Sequence, residues 1–167
     1  MRTVRYAVLW LGLILLAACG SPSGSAPSEP TKVLPKGPSA GLKKLAGRPR
    51  YNLETIGGTV NPLTQTSVSV PAGEPLTMSG WAVDAQSQTA AAGVDVVIDD
   101  VPYSAQYGSS RQDVAEHLKL PAYANSGFEL AMPKTAIGKG KHQLSVRVIS
   151  KDRSSYWEGM SLVVDVQ

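Results

Sequence analysis

His142-Gln143-Leu144-Ser145-Val146-Arg147-Val148-Ile149 sets Leu144, Val146 and Val148 at every second position, with polar side chains between them. A strand turns successive side chains to opposite faces, so this spacing gives one apolar and one polar face, whereas a helix scatters the same residues around its axis. The rhythm recurs on both sides. Upstream, Thr66-Ser67-Val68-Ser69-Val70 alternates and stops at Pro71-Ala72-Gly73, and downstream residues 157–166 alternate through Leu162, Val164 and Val166. Between them lie apolar runs at 76–84, 94–99, 103–107 and 127–132, separated by stretches that hold Gly, Pro, Asn or Asp. About seven short strands with such turns predict a mainly β domain over residues 51–167. The expected architecture is an antiparallel β-sandwich of immunoglobulin-like size, and a small open barrel is the alternative.

One helix is expected among the strands. Ser110-Arg111-Gln112-Asp113 precedes Val114-Ala115-Glu116-His117-Leu118-Lys119-Leu120. Ser110 is placed to accept from the Asp113 amide, and an acid in the first turn suits the helix dipole. Val114 and Leu118, four apart, should face the sheet, and Pro121 should end the helix.

The front of the chain reads differently. Arg2 and Arg5 precede an uncharged run from Tyr6 to Cys19, the charged and apolar regions of a secretory signal. The run is too short to cross a bilayer as a helix, which takes roughly 20 residues. It ends Leu16-Ala17-Ala18-Cys19-Gly20, which closely resembles the lipobox of bacterial lipoproteins. The resemblance implies cleavage of residues 1–18 and lipidation of Cys19, the only cysteine in the chain. Two or three acyl chains hold a protein firmly, at roughly 0.8 kcal/mol per buried methylene. Gly20 after the cysteine points to the periplasmic face of the outer membrane in a two-membrane cell, and otherwise to the outer face of the cytoplasmic membrane.

Residues 19–50 are rich in Pro, Gly, Ser and Ala without a hydrophobic period, and are expected to form a disordered tether. As a coil it would reach on the order of 30 Å. Residues 20–50 carry six basic side chains against one acidic, and residues 51–167 carry eight against twelve. The basic character of the chain thus lies in its leader and tether, and gives no ground for a nucleic-acid partner. With no cysteine left for a disulfide, the domain must stand on its hydrophobic core, which its size allows.

Gly80-Trp81-Ala82-Val83-Asp84, Tyr107-Gly108-Ser109-Ser110-Arg111-Gln112-Asp113-Val114, Gly127-Phe128 and His142-Gln143-Leu144-Ser145-Val146-Arg147 are similar, in that order, to a bacterial Ig-like β-sandwich module. The resemblance covers about residues 55–167 and implies a non-catalytic domain of an envelope or surface protein. Arg111 and Asp113 then offer either a surface pair for a ligand or partner or a helix cap, with Arg111 bridging to an acid such as Asp84. Tyr103, Tyr107, Tyr123, Tyr156 and Trp157 offer either a stacking platform for sugar rings or ordinary packing. Trp81, inside an apolar run, is expected in the core.

Asp95, Asp99 and Asp100 lack the spacing of a calcium loop, and Asp99-Asp100 suits a turn. No catalytic or metal site is expected, and no cofactor. The histidines are only His117 and His142, and neither a nucleophile elbow nor a phosphate-binding glycine loop occurs. The function expected from sequence is a membrane-anchored envelope lipoprotein whose Ig-like domain serves protein interaction or scaffolding. The alternatives are a carbohydrate-binding module contacting peptidoglycan or surface polysaccharide and, more remotely, an accessory or inhibitor of a hydrolase.

Overall fold

In the computed structural model the alternating runs pair into two sheets laid face to face. It describes residues 35–133 and 135–167. The leader, Cys19 and the tether as far as residue 34 lie outside the described residues. The first sheet holds β1 (Lys43–Lys44), β4 (Ser67–Val70), β7 (Gly93–Ile98), β8 (Val101–Ser104), β11 (Gly140–Ile149), β12 (Ser155–Glu158) and β13 (Leu162–Val166). The second holds β2 (Arg50–Ile56), β3 (Thr59–Val60), β5 (Leu76–Asp84), β6 (Thr89–Ala90), β9 (Gln106–Ser109) and β10 (Gly127–Met132). Among the described residues the fold is therefore a mainly β sandwich with one short α-helix, and not a closed barrel.

The strand that opened the reading, β11, is the spine of the first sheet. It pairs β7 along one side, and β13 then β12 along the other. Its alternate residues Leu144, Val146 and Val148 are at most 1% exposed. They meet Leu53, Ile56, Met78, Phe128, Leu130 and Met132 of the second sheet in one core. Burial of such side chains contributes roughly 1.5–3 kcal/mol each and is what holds a disulfide-free sandwich together.

The expected count of about seven strands is corrected to thirteen among the described residues. Two expected strands are each divided. Residues 103–107 change sheets at Ala105, whose amide bonds the Val94 carbonyl, so β8 lies in one sheet and β9 in the other. Residues 157–166 break at Gly159, where the Tyr51 hydroxyl occupies the place of a side chain, 2.3 Å from an ideal Cβ. The sandwich is also not wholly antiparallel, since β1 runs parallel to β12 and β4 parallel to β13.

A second correction concerns the tether, which does not extend to Arg50. Residues 35–45 are laid along the first sheet, and Arg50 opens β2 of the second: the Gly37 amide bonds the Pro102 carbonyl at 2.8 Å, and Leu45 bonds Tyr156 at 2.8 Å. Between them the Ser39 amide donates to Asp95 Oδ2 at 2.8 Å, and both residues are buried. Gly37 is required there, because a Cβ would stand 2.3 Å from that carboxylate oxygen. Backbone pairing and one carboxylate thus order a stretch whose composition carries no hydrophobic period.

The helix, α1 (Gln112–His117), is shorter than expected, and Ser110 does not cap it. Its N-cap is Arg111, which makes no side-chain cap bond. It ends before Pro121, since Lys119 takes φ +54° and turns the chain away. Val114 is buried and Leu118 half-buried against Val83 and Tyr123, a second small cluster. Trp81 is half-buried at the edge of that cluster instead of lying in the main core.

Candidate functional site: a groove at Trp157

The residues singled out in the sequence do not form one surface. Arg111 presents both terminal nitrogens to Glu54, each at 2.8 Å, and its Nε and one terminal nitrogen to Asp113 at 2.9 and 2.6 Å. The guanidinium holds Asp113 down to about 2, and the two carboxylates push Arg111 further up. Its acid is Glu54 and not Asp84, and the group ties α1 to β2. Four of its five N–H donors are taken by the two carboxylates, so the group acts as a clamp.

The aromatics are dispersed. Tyr123 is 3% exposed in the helical cluster. Tyr156 is 8% exposed beneath the Arg147 guanidinium, 4.7 Å from the ring centroid. Tyr103 and Tyr107 pack on the main core. The Tyr107 hydroxyl donates to the Ala82 carbonyl at 2.7 Å and accepts from the Ala91 amide at 2.9 Å. Burial pushes it up to about 12. Trp157 alone borders a concavity. The five residues make no stacking platform.

The three acids read against a calcium loop also stay apart. Asp95 lies under the segment at Ser39, while Asp99 and Asp100 form a left-handed turn with φ +47° and +67°. Asp99 accepts His142 Nδ1 at 2.6 Å and the Gln143 amide at 2.9 Å, and His142 Nε2 donates to the Gly138 carbonyl at 2.9 Å. The bond to His142 lowers Asp99, and the bond to Asp99 raises His142. With both ring nitrogens donating, the imidazolium is the favoured form.

The raised His142 contributes stability that is full below its unfolded value, about 6.5, and is lost as pH rises through the folded value. The lowered Asp99 contributes above about 3.9 and loses its share as pH falls through its own folded value. His142→Gln should therefore cost about 0.5–1 kcal/mol near pH 5.5, a small figure because Asp99 is half-exposed, and nearly nothing at pH 9. Urea unfolding at the two pH values checks this; an equal gap at both would remove the charge argument.

The groove that holds Trp157 lies where β12 of the first sheet approaches β5 and the start of β2 in the second. Two concavities of about 540 and 290 Å³ share Gln86 and Trp157. Ser87, Lys151 and Asp152 line the larger one, and Arg48, Pro49 and Arg50 the smaller.

Asp84 builds the larger wall. Its Oδ1 accepts the Gln86 and Ser87 amides at 3.0 and 2.9 Å, and its Oδ2 accepts the Lys151 amide at 2.8 Å. Burial works against its charge, but these backbone donors outweigh it and keep the carboxyl below the usual range. One buried carboxylate thereby fixes two loops. Asp152 accepts the Ser150 hydroxyl at 2.6 Å and the Ser154 amide and hydroxyl at 3.0 and 2.9 Å, closing its own turn.

No family model and no curated protein matches the chain. Among solved structures, the X-ray structure of the endo-beta-1,4-mannanase from Thermotoga petrophila is similar over 63% of this chain and 18% of that chain. The TM-score is 0.41 and the identity 10%. A likeness of that size bears on neither activity nor substrate.

Sequence reasoning missed most of this groove. Arg48 and Arg50 were placed in the tether, and Gln86, Ser87, Lys151 and Asp152 sit in turns with no motif. Only Trp157 was singled out. Asp84, noted as a bridge acid for Arg111, instead supports the loops. Among the described residues, no three or more His, Cys, Asp or Glu side chains converge as a metal site.

Proposed function

We propose that the chain is a lipid-anchored cell-envelope protein whose non-catalytic sandwich domain binds glycan through the groove at Trp157. The anchor rests on Leu16-Ala17-Ala18-Cys19 behind Arg2, Arg5 and an uncharged run. The glycan reading rests on one observation: a half-buried indole set among amide and hydroxyl side chains in a concave surface. An indole face suits the apolar face of a pyranose, and the amide and hydroxyl groups suit its hydroxyls.

The same observation moves glycan ahead of protein scaffolding, the reading that sequence favoured. A large contiguous apolar patch on a surface marks a protein-docking site. Among the described residues the exposed large hydrophobics are Val60 on β3, Val101 on β8 and Met160 in the loop between β12 and β13.

The test is retention of the purified protein on insoluble envelope glycan. Trp157→Ala should weaken binding at least tenfold, about 1.4 kcal/mol, while leaving the unfolding midpoint near that of the parent. In cells, Cys19→Ala should abolish incorporation of labelled palmitate. Undiminished retention of Trp157→Ala would sink the groove assignment, and continued labelling of Cys19→Ala would sink the anchor.

A further inference from the structure

We infer that the groove takes an acidic glycan, a polymer of carboxylated sugars, with Arg48 and Arg50 meeting the carboxylates while a sugar ring lies against Trp157. This rests on the glycan reading above and adds the charge of the ligand to it.

The argument comes from which charges in the groove are already committed. Asp84 accepts three backbone N–H groups, and Asp152 one amide and two hydroxyls, so both are engaged in holding their own loops. Arg48, Arg50 and Lys151 make no ion pair and no side-chain hydrogen bond among the described residues. Arg111 and Arg147 are paired to carboxylates elsewhere in the domain, and Arg153 is unpaired too, so what distinguishes Arg48 and Arg50 is that they are unpaired in a concavity beside an indole. Arg48 and Arg50 come from the basic segment ahead of Tyr51 and bring their charge to a domain whose residues 51–167 carry an excess of acids. A neutral sugar would leave these cations without use.

Geometry narrows the ligand further. Arg48 and Arg50 line the same concavity as Trp157, and Lys151 lines the adjoining one, so cations lie to both sides of the indole. A guanidinium fork matches a carboxylate and can hold it with two parallel bonds. A uronic acid carries its carboxylate on the ring itself, so one residue can stack and pair at once. A flat membrane surface fits less well, because these cations flank a concave groove instead of standing on an open face.

The experiment uses the full-length protein in neutral detergent. It is titrated with oligogalacturonate, with the methyl ester of the same oligosaccharide, and with phosphatidylglycerol added to the micelles. The acid should bind, its affinity should fall steeply with salt, and the ester should bind at least tenfold more weakly. Arg48→Gln with Arg50→Gln should cost the acid at least tenfold and leave the ester unchanged, with the unfolding midpoint preserved.

Equal binding of acid and ester would overturn the charge inference while leaving the glycan reading intact. Binding of neither oligosaccharide would overturn both. An arginine-dependent response to phosphatidylglycerol alone would replace the glycan with a lipid surface.

Discussion

Gly80→Ala is expected to lose about 3 kcal/mol of stability, roughly a 10 °C fall in unfolding temperature for a domain of this size. Gly80 sits in β5 between Leu53 of β2 and Phe128 of β10. An added Cβ would stand 2.1 Å from the Asn52 carbonyl oxygen and 3.0 Å from Cζ of Phe128. The first neighbour is backbone and cannot rotate away. The second is the chain's only phenylalanine, 2% exposed in the centre of the core.

The close approach has a local cause. The register of β2 on β5 slips between Leu53 and Thr55, leaving Glu54 as the extra residue of a bulge. The bulge aims Glu54 at Arg111, and Gly80 lets the distorted strand close on β5. Gly93→Ala is the matched control. Its added Cβ would meet only Cδ1 of Ile149 at 3.6 Å, an ordinary contact, so a neutral or slightly stabilising change is expected. Thermal unfolding of both variants decides the point; equal losses would show that the bulge does not set the cost.

The same bulge explains what the sequence hid. The β4, β5, β11 and β13 runs were legible because each keeps one apolar face at period two. The buried residues of β2 are Leu53 and Ile56, three apart, because the extra residue at Glu54 breaks the alternation. A strand with a broken period looks like loop. The two-residue strands β1, β3 and β6 are too short to carry any period, and their pairing is settled by neighbours distant in sequence.

The site was less legible than the fold for a related reason. A groove is made by loops brought together, here by backbone amides converging on Asp84 from residues 86, 87 and 151. The Gln86 and Ser87 amides are local partners, but no local pattern marks the third, which lies 67 residues away at Lys151. Trp157 stood out as an aromatic, and four other aromatics stood out equally, although packing had claimed them. Arg111 and Asp113 were distinctive in sequence because they hold a helix to a bulge.

A chain beginning at Tyr51 is expected to be about 2–3 kcal/mol less stable than one beginning at Thr31, and to lose ligand binding altogether. Sequence composition places the domain boundary at Tyr51, but residues 35–45 before it are bonded to the sandwich and Arg50 pairs with Val83. Removing this segment deletes the Gly37–Pro102, Ser39–Asp95, Lys43–Ser154 and Leu45–Tyr156 hydrogen bonds and the Lys44–Glu158 ion pair. Backbone bonds contribute about 0.5–1.5 kcal/mol each, and one to a carboxylate about 1.5–3.

Two terms reduce that gross figure. Ordering the segment costs backbone entropy, which the surface it covers offsets. The segment also buries Asp95 with Oδ1 lacking any partner among the described residues, so that carboxylate regains water when the segment is removed. The net loss is therefore a few kcal/mol and not the sum of its bonds. Binding has no such compensation, because Leu45, Arg48, Pro49 and Arg50 are themselves wall residues of the groove. Denaturant unfolding and oligogalacturonate titration of the two chains separate the effects. A shorter chain with the same midpoint would show that residues 35–50 contribute nothing to the fold. One that still bound the acid at full affinity would remove the two arginines from the site.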